Sequence, residues 1–217
     1  MQIQIRNRPS FANLLVRLAR GDRIVTESDA MASMSSSIAV QTRWNGGFFR
    51  AILRALFGGE TLFLNEFSSE SEGELVLTQP VPGDIEMVEL KGQTLYLQPG
   101  AFLACDPSVE FGLGYAGLRS LIAREGLFRL KVSGHGRVWF GAYGGIVEKD
   151  VQGEYVVDSG HLVAYEPTLE LRLGMAGGLF SSFFSGEGLV MRIRGQGRIY
   201  MQSRSLQGLA SWVNSHL

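Results

Sequence analysis

"GHLVAYEPTLELRLG" (residues 160–174) restates "GAFLACDPSVEFGLG" (residues 100–114) sixty positions later. The two stretches match at Gly100/Gly160, Ala104/Ala164, Pro107/Pro167, Glu110/Glu170, Leu113/Leu173 and Gly114/Gly174. Each also sets a carboxylate, Asp106 or Glu166, directly before its proline. A match at a constant offset is the mark of an internal repeat. A fainter copy, "GDRIVTESDAMASMSSSIAV" (21–40), falls on residues 92–111, with Ile24 on Leu95, Thr26 on Leu97, Met31 on Phe102, Ile38 on Val109, and Ser36 where the proline would stand. The second half of the unit recurs as well. "LKVSGHGRVWFG" (130–141) and "MRIRGQGRIYMQ" (191–202) align Gly134, Gly136 and Arg137 with Gly195, Gly197 and Arg198, and "SEGELVLT" (71–78) places Gly73 on Gly136. The chain therefore reads as one domain, 1–217, of three tandem repeats at about 12–84, 85–146 and 147–204, with a helical tail over 205–217.

Apolar residues at spacing two dominate each unit: Leu95 and Leu97; Phe128, Leu130 and Val132; Val138 and Phe140; Leu189, Met191 and Ile193. Spacing two sends alternate side chains to opposite faces, so these are half-buried strands. "GHG" and "GQG" sit between two such runs and read as tight hairpin turns; "QPG" and "DSG" read as turns too. Each unit holds one segment with a different period. In "FFRAILRALF" (48–57), Phe48, Ile52 and Leu56 recur at spacing four, as do Phe49, Leu53 and Phe57, while Arg50 and Arg54 share another side. That spacing predicts a short helix. "LRSLIARE" (118–125) and "LFSSFFS" (179–185) hold the same place in the other units, with stripes of Leu118, Leu121, Ile122 and of Leu179, Phe180, Phe183, Phe184. "SLQGLASWVNSHL" predicts a last helix using Leu206, Leu209 and Val213. The fold class is all-β, a double-sheet unit repeated three times with short helices at the corners.

Composition bounds the function. The 217 residues are 45% hydrophobic, enough for a sizeable core, and the 28 glycines are spread without a collagen period, which suits many short strands. A net charge of −1 argues against bulk attraction to nucleic acid. A single cysteine, Cys105, excludes an intramolecular disulfide and a cysteine-rich zinc site. "MQIQIRNRPSF" has no apolar signal core, and no apolar run reaches the roughly 20 residues of a spanning helix, so the expected location is cytoplasmic, or peripheral at a membrane.

"AMASMSSSI", "GGETLFLNEF", "VPGDIEMVEL" and "LYLQPGAFLACDPSVEF" resemble the mitochondrial biogenesis family named for altered inheritance of mitochondria. The resemblance spans nearly the whole chain. It implies a fold similar to the tryptophan RNA-binding attenuation protein, whose β-units assemble edge to edge into rings. Three units per chain then imply a homotrimer closing a ring of nine. The resemblance also implies a role in membrane organisation, and it carries over no catalytic residue. Short sheets leave free edges, and cyclic closure removes them.

Candidate chemistry is sparse. "GLGYAG" (Gly112, Gly114, Gly117) matches a dinucleotide-binding fingerprint, but no acid falls between Glu125 and Glu148 to hold a ribose, and a βαβ context is lacking. Its alternative reading is a corner where glycine allows a tight turn. His135, His161 and His216 are scattered, and His135 is replaced by Gln196 in the sister unit; a metal site from His161 and Glu166 is the alternative to a turn surface. Cys105 aligns with Tyr165 and Met34, which marks a packing position. Asp106 and Glu166 read as solvated strand-end acids, or as contacts to a neighbouring unit. Arg137 and Arg198 recur, but the first unit has Glu74 there, which is thin support for an RNA-binding ring. Those arginines could equally bond across a turn.

The helix stripes are the strongest lead. Phe48, Phe49, Ile52, Phe57, Phe180, Phe183 and Phe184 either pack inside the molecule or face a membrane surface or protein partner. The expectation is a non-enzymatic ring scaffold without cofactor or metal; a small-ligand or RNA-binding ring is the second reading.

Overall fold

The computed structural model describes residues 1–43, 64–98, 100–115, 128–175 and 189–214. Within them the chain is built of fifteen strands, one 3-10 turn and one helix. The strands are β1 (Gln2–Arg6), β2 (Asn13–Leu18), β3 (Arg23–Glu27), β4 (Met31–Met34), β5 (Ile38–Arg43), β6 (Leu64–Ser69), β7 (Gly73–Thr78), β8 (Ile85–Leu97), β9 (Phe102–Cys105), β10 (Val109–Tyr115), β11 (Phe128–Gly141), β12 (Ile146–Asp158), β13 (Leu162–Tyr165), β14 (Leu169–Met175) and β15 (Leu189–Gln202). The 3-10 turn is Ser159–His161 and the helix α1 is Leu206–Asn214.

The alternating apolar runs form strands as their period requires. Leu95, Leu97, Leu130, Val132, Val138, Phe140, Met191 and Ile193 are all buried. Strands β1-β2-β7-β4 make a four-stranded sheet. A larger sheet runs β12-β15-β13-β8-β11-β9-β3-β6-β5, with β10 added on β11 and β14 on β15. Every strand pairing is antiparallel.

Here one expectation fails. "GHG" and "GQG" are not hairpin turns. They lie inside the 14-residue strands β11 and β15. Gly134, Gly136 and Gly195 take φ of +97°, +135° and +129°, values that L side chains rarely adopt. The glycines bend each strand rather than reverse it. The first half of β11 then pairs with β10 (Leu113↔Leu130) and its second half with β9 (Trp139↔Ala104), so one edge of the strand serves two partners while β8 pairs along the other. Two apolar runs flanking a Gly-x-Gly read locally as a hairpin, and only the partner strands tell a bend from a reversal.

The core falls into three clusters, and each mixes residues distant in sequence. One joins Leu14, Val16, Ile24, Phe67 and Leu75 to Leu103, Ala104 and Trp139. The next joins Leu95, Leu97, Phe102, Val132 and Phe140 to Val163, Ala164 and Tyr200, and also takes in Val25 and Leu64. The third holds Val151, Val157, Leu162, Met191, Ile193 and Ile199, with Tyr96 packed on it. The short strand that follows in the chain, β9 or β13, thus lends its side chains to the cluster before it.

The connecting loops are laced together at one end. The Ala12 N–H donates to the Gly83 carbonyl at 2.9 Å, Asp84 N–H to Gly144 at 2.8 Å, and Ser203 N–H to Gly145 at 2.9 Å. The amide of Gln202 adds a clasp, accepting from Tyr143 N–H at 3.0 Å and donating to the Gly160 carbonyl at 2.8 Å. These bonds satisfy backbone groups that would otherwise be stranded between strands.

Candidate functional site: strand edges and hairpin ends

The acids before the prolines neither wave in solvent nor reach a neighbour. The Asp106 carboxylate accepts from the Arg137 backbone N–H at 2.8 Å and from its guanidinium at 2.9 and 3.0 Å. Glu166 accepts from the Arg198 N–H at 3.0 Å. The Ser35 hydroxyl accepts from the Glu74 N–H at 2.9 Å. In the reverse direction, Ser35, Asp106 and Glu166 donate their own N–H to the carbonyls of Glu74, Arg137 and Arg198 at 2.9, 2.9 and 3.0 Å. One two-bond clamp therefore recurs at three places, where β4 meets β7, β9 meets β11 and β13 meets β15.

The arginines of these places are engaged by acids. Arg137 lies on Asp106, which raises its pKa. Arg198 lies on Asp150 at 2.8 Å and Glu148 at 3.2 Å. Arg192 and Arg194 both bind Glu154, at 3.2 and 2.8 Å, holding that carboxyl below the usual carboxylate range.

The remaining candidates resolve into packing. Gly112 and Gly114 lie in β10, not at a corner. A Cβ on Gly114 would occupy the place of the Tyr96 ring, which stacks on Tyr165 at 5.1 Å. The glycine there serves close packing. His135 is exposed. The His161 Nδ1 lies 2.7 Å from the Gln202 carbonyl, and Glu166 is committed to its clamp, so the two do not assemble a metal site. No group of three or more His, Cys, Asp or Glu side chains is placed to hold a metal ion among the described residues. A cleft of about 490 Å³ at the N-terminal strand includes Arg17 and Glu74, which face each other at 3.5 Å.

Phe48, Phe49, Ile52, Phe57, Phe180, Phe183 and Phe184, with the three predicted corner helices, lie outside the described residues. Their points of attachment are described. Segment 44–63 links β5 to β6, whose ends pair as Arg43↔Leu64. Segment 116–127 links β10 to β11 at Tyr115↔Phe128, and segment 176–188 links β14 to β15 at Met175↔Leu189. All three connect the end of one antiparallel hairpin.

Two surfaces were not singled out from the sequence. Cys105 is 0% exposed and Tyr165 9%, whereas Met34, on β4, is 38% exposed, and all four residues of β4 are exposed where β9 and β13 are wholly buried. The signal was in the alignment of Met34 with Cys105 and Tyr165, and only the exposure distinguishes them. The other surface is α1. It forms as the sequence predicts, opened by the Ser205 hydroxyl accepting from Gly208 N–H at 3.2 Å. Leu206, Leu209, Trp212 and Val213 are all exposed. No helix among the described residues is long and apolar enough to cross a membrane.

Comparison with known proteins accords with this architecture. The family described as mitochondrial biogenesis AIM24 matches over residues 3–204. An uncharacterised protein of Streptococcus pyogenes serotype M6 is 26% identical over 226 residues, covering 100% of this chain and 91% of the relative. A crystal structure of a Streptococcus pyogenes protein superposes with a TM-score of 0.80 at 27% identity, covering 100% of this chain and 99% of that one. The chain belongs to the mitochondrial biogenesis AIM24 family.

Proposed function

We propose that this AIM24-family chain is a non-catalytic scaffold, three repeats long, that assembles into a homotrimeric ring and sets its apolar hairpin connections against a membrane surface. One observation carries the reading. The segments holding Phe48, Phe49, Phe57, Phe180, Phe183 and Phe184 all leave from the paired ends of equivalent hairpins, β5–β6, β10–β11 and β14–β15. Equivalent attachment in a closed ring repeats each apolar segment around the assembly. Contacts too weak singly then add by avidity. Aromatic and arginine side chains together, as in "FFRAILRALF", suit the headgroup boundary.

The three-repeat reading draws support from the recurring clamp of Ser35, Asp106 and Glu166 and from the shared hairpin pattern. An RNA-binding ring is the weaker alternative, because the recurring arginines, Arg137 and Arg198, already face Asp106, Asp150 and Glu148.

Flotation with neutral and anionic liposomes tests the reading. The wild-type chain is expected to float, and a Phe48→Ser/Phe49→Ser variant of unchanged assembly mass is expected to lose flotation. Wild-type protein that stays at the bottom with both lipids refutes the membrane reading and favours a protein partner for the stripes.

A further inference from the structure

Within the chain, one kind of sheet extension occurs twice. Strand β9 lies between β11 and β3, pairing with β3 at Val25↔Cys105 and Thr26↔Ala104. Strand β13 lies between β15 and the second half of β8, pairing there at Tyr165↔Tyr96 and Ala164↔Leu97. The sequence alignment puts Val25 on Tyr96 and Cys105 on Tyr165, so the two junctions have the same register. In both, a four-residue strand from the following stretch of chain closes the edge of the preceding one. It also lends side chains to that stretch's core: Leu103 and Ala104 in one case, Val163 and Ala164 in the other.

Each half of this junction is left over once. Strand β4 is the first copy of the β9-type strand. It joins its own partner β7 with the same one-residue bulge, between Met31 and Ser33, that β9 shows between Trp139 and Phe140 on β11 and β13 shows between Leu162 and Ala164. Its other edge has no strand partner among the described residues. At the opposite end of the chain, the outer half of β12 (154–158) is the third copy of the edge that β3 and β8 offer. It pairs only with β15 among the described residues. The third core cluster, behind Val157, is accordingly the one that receives no following strand.

We propose, resting on the oligomeric reading above, that β4 of one chain adds antiparallel to the outer half of β12 in a second copy of the same chain, with Met34 opposite Val156 and Ser33 opposite Val157, since Val156 pairs with Arg192 as Tyr96 pairs with Lys131 and Val25 with Glu66. The occupant is a second copy because the complementary edge exists in this sequence, in the register used twice inside the chain. The exposure agrees. Met31 and Met34 are 41% and 38% exposed, and the uncharged β4 carries none of the lysines or prolines that protect a permanent edge. Tyr155 and Val156 are exposed on the opposing edge. The contact is head-to-tail, so each copy gives one β4 and receives one, and repetition closes a ring when the rotation permits.

A pair of cysteines tests the register. Opposed residues on antiparallel strands have Cα atoms roughly 4.5–5.5 Å apart, within the range a disulfide spans. Cys105 is buried and stays in place. Mild oxidation of a Met34→Cys/Val156→Cys chain should give covalent dimers and trimers on a non-reducing gel. Co-expressed single variants should give covalent dimers only, and neither single variant alone should cross-link. Self-linking of Met34→Cys alone would mean a face-to-face contact and overturn the proposal. A trimeric mass without any cross-link overturns the pairing but leaves the oligomeric reading standing, whereas a monomeric mass at micromolar concentration overturns both. A Met34→Asp chain provides a second readout, since Met34 is exposed within one subunit: it should keep the wild-type circular dichroism yet run at one chain mass, and retention of the full mass would refute the contact.

Discussion

Asp106→Ala removes the most heavily used clamp. The Asp106 carboxylate receives three bonds, at 2.8, 2.9 and 3.0 Å, and its side chain is 17% exposed. The backbone bond is the costly one. With its acceptor gone, the Arg137 N–H is left part-buried, at a cost of about 1–3 kcal/mol. The guanidinium fork is 34% exposed on the arginine side, so its own worth is held to roughly 1 kcal/mol or less by solvent screening. Together Asp106→Ala should cost about 2–3 kcal/mol. The molecule supplies its own control, because Ser35 makes the same backbone bond to Glu74 with a hydroxyl and no fork. Asp106→Ser should therefore keep most of the stability, losing about 1 kcal/mol. Urea denaturation followed by fluorescence, with equal m-values, reads both differences. If Asp106→Ser falls as far as Asp106→Ala, the backbone bond is not what the clamp provides; if Asp106→Ala lies within about 0.5 kcal/mol of wild type, the clamp has no structural weight.

Gly114 and Gly174 align, but a Cβ at Gly114 meets the Tyr96 ring while one at Gly174 meets only the Arg192 Nε at 3.8 Å. Gly114→Ala should destabilise by about 1–3 kcal/mol and Gly174→Ala by well under 1, and equal melting temperatures would contradict the packing account. Burial pushes the Tyr165 phenol up to about 12. The folded chain then holds this proton while the unfolded chain releases it near pH 10, so stability should fall as pH rises from 10 to 12. A Tyr165→Phe chain should show a flatter alkaline limb in its melting temperature, and an unchanged slope would assign the loss to other groups.

The β class was legible because the strand period acts at short range. Leu95, Val132 and Ile193 announce buried strands by spacing alone, and the tail announces a helix by its stripe of Leu206, Leu209 and Val213. What was not legible depends on partners far along the chain. Gly134 and Gly195 bend strands rather than end them, because β9 and β10 share one long partner. Strand β1 was not foreseen, although Ile3 and Ile5 alternate in "MQIQIR"; it covers the edge of β2. The contrast between β4 and β9 was hidden for the same reason. Met34 and Cys105 occupy matching places, and only the presence of β3 beside β9 buries one and leaves the other open.

The account turns on whether the chain completes its sheets with copies of itself. Static light scattering on the size-exclusion peak of the wild-type protein, at micromolar concentration, measures this most directly. The account predicts three times the 23.8 kDa chain mass, and a peak of a single chain mass would contradict it.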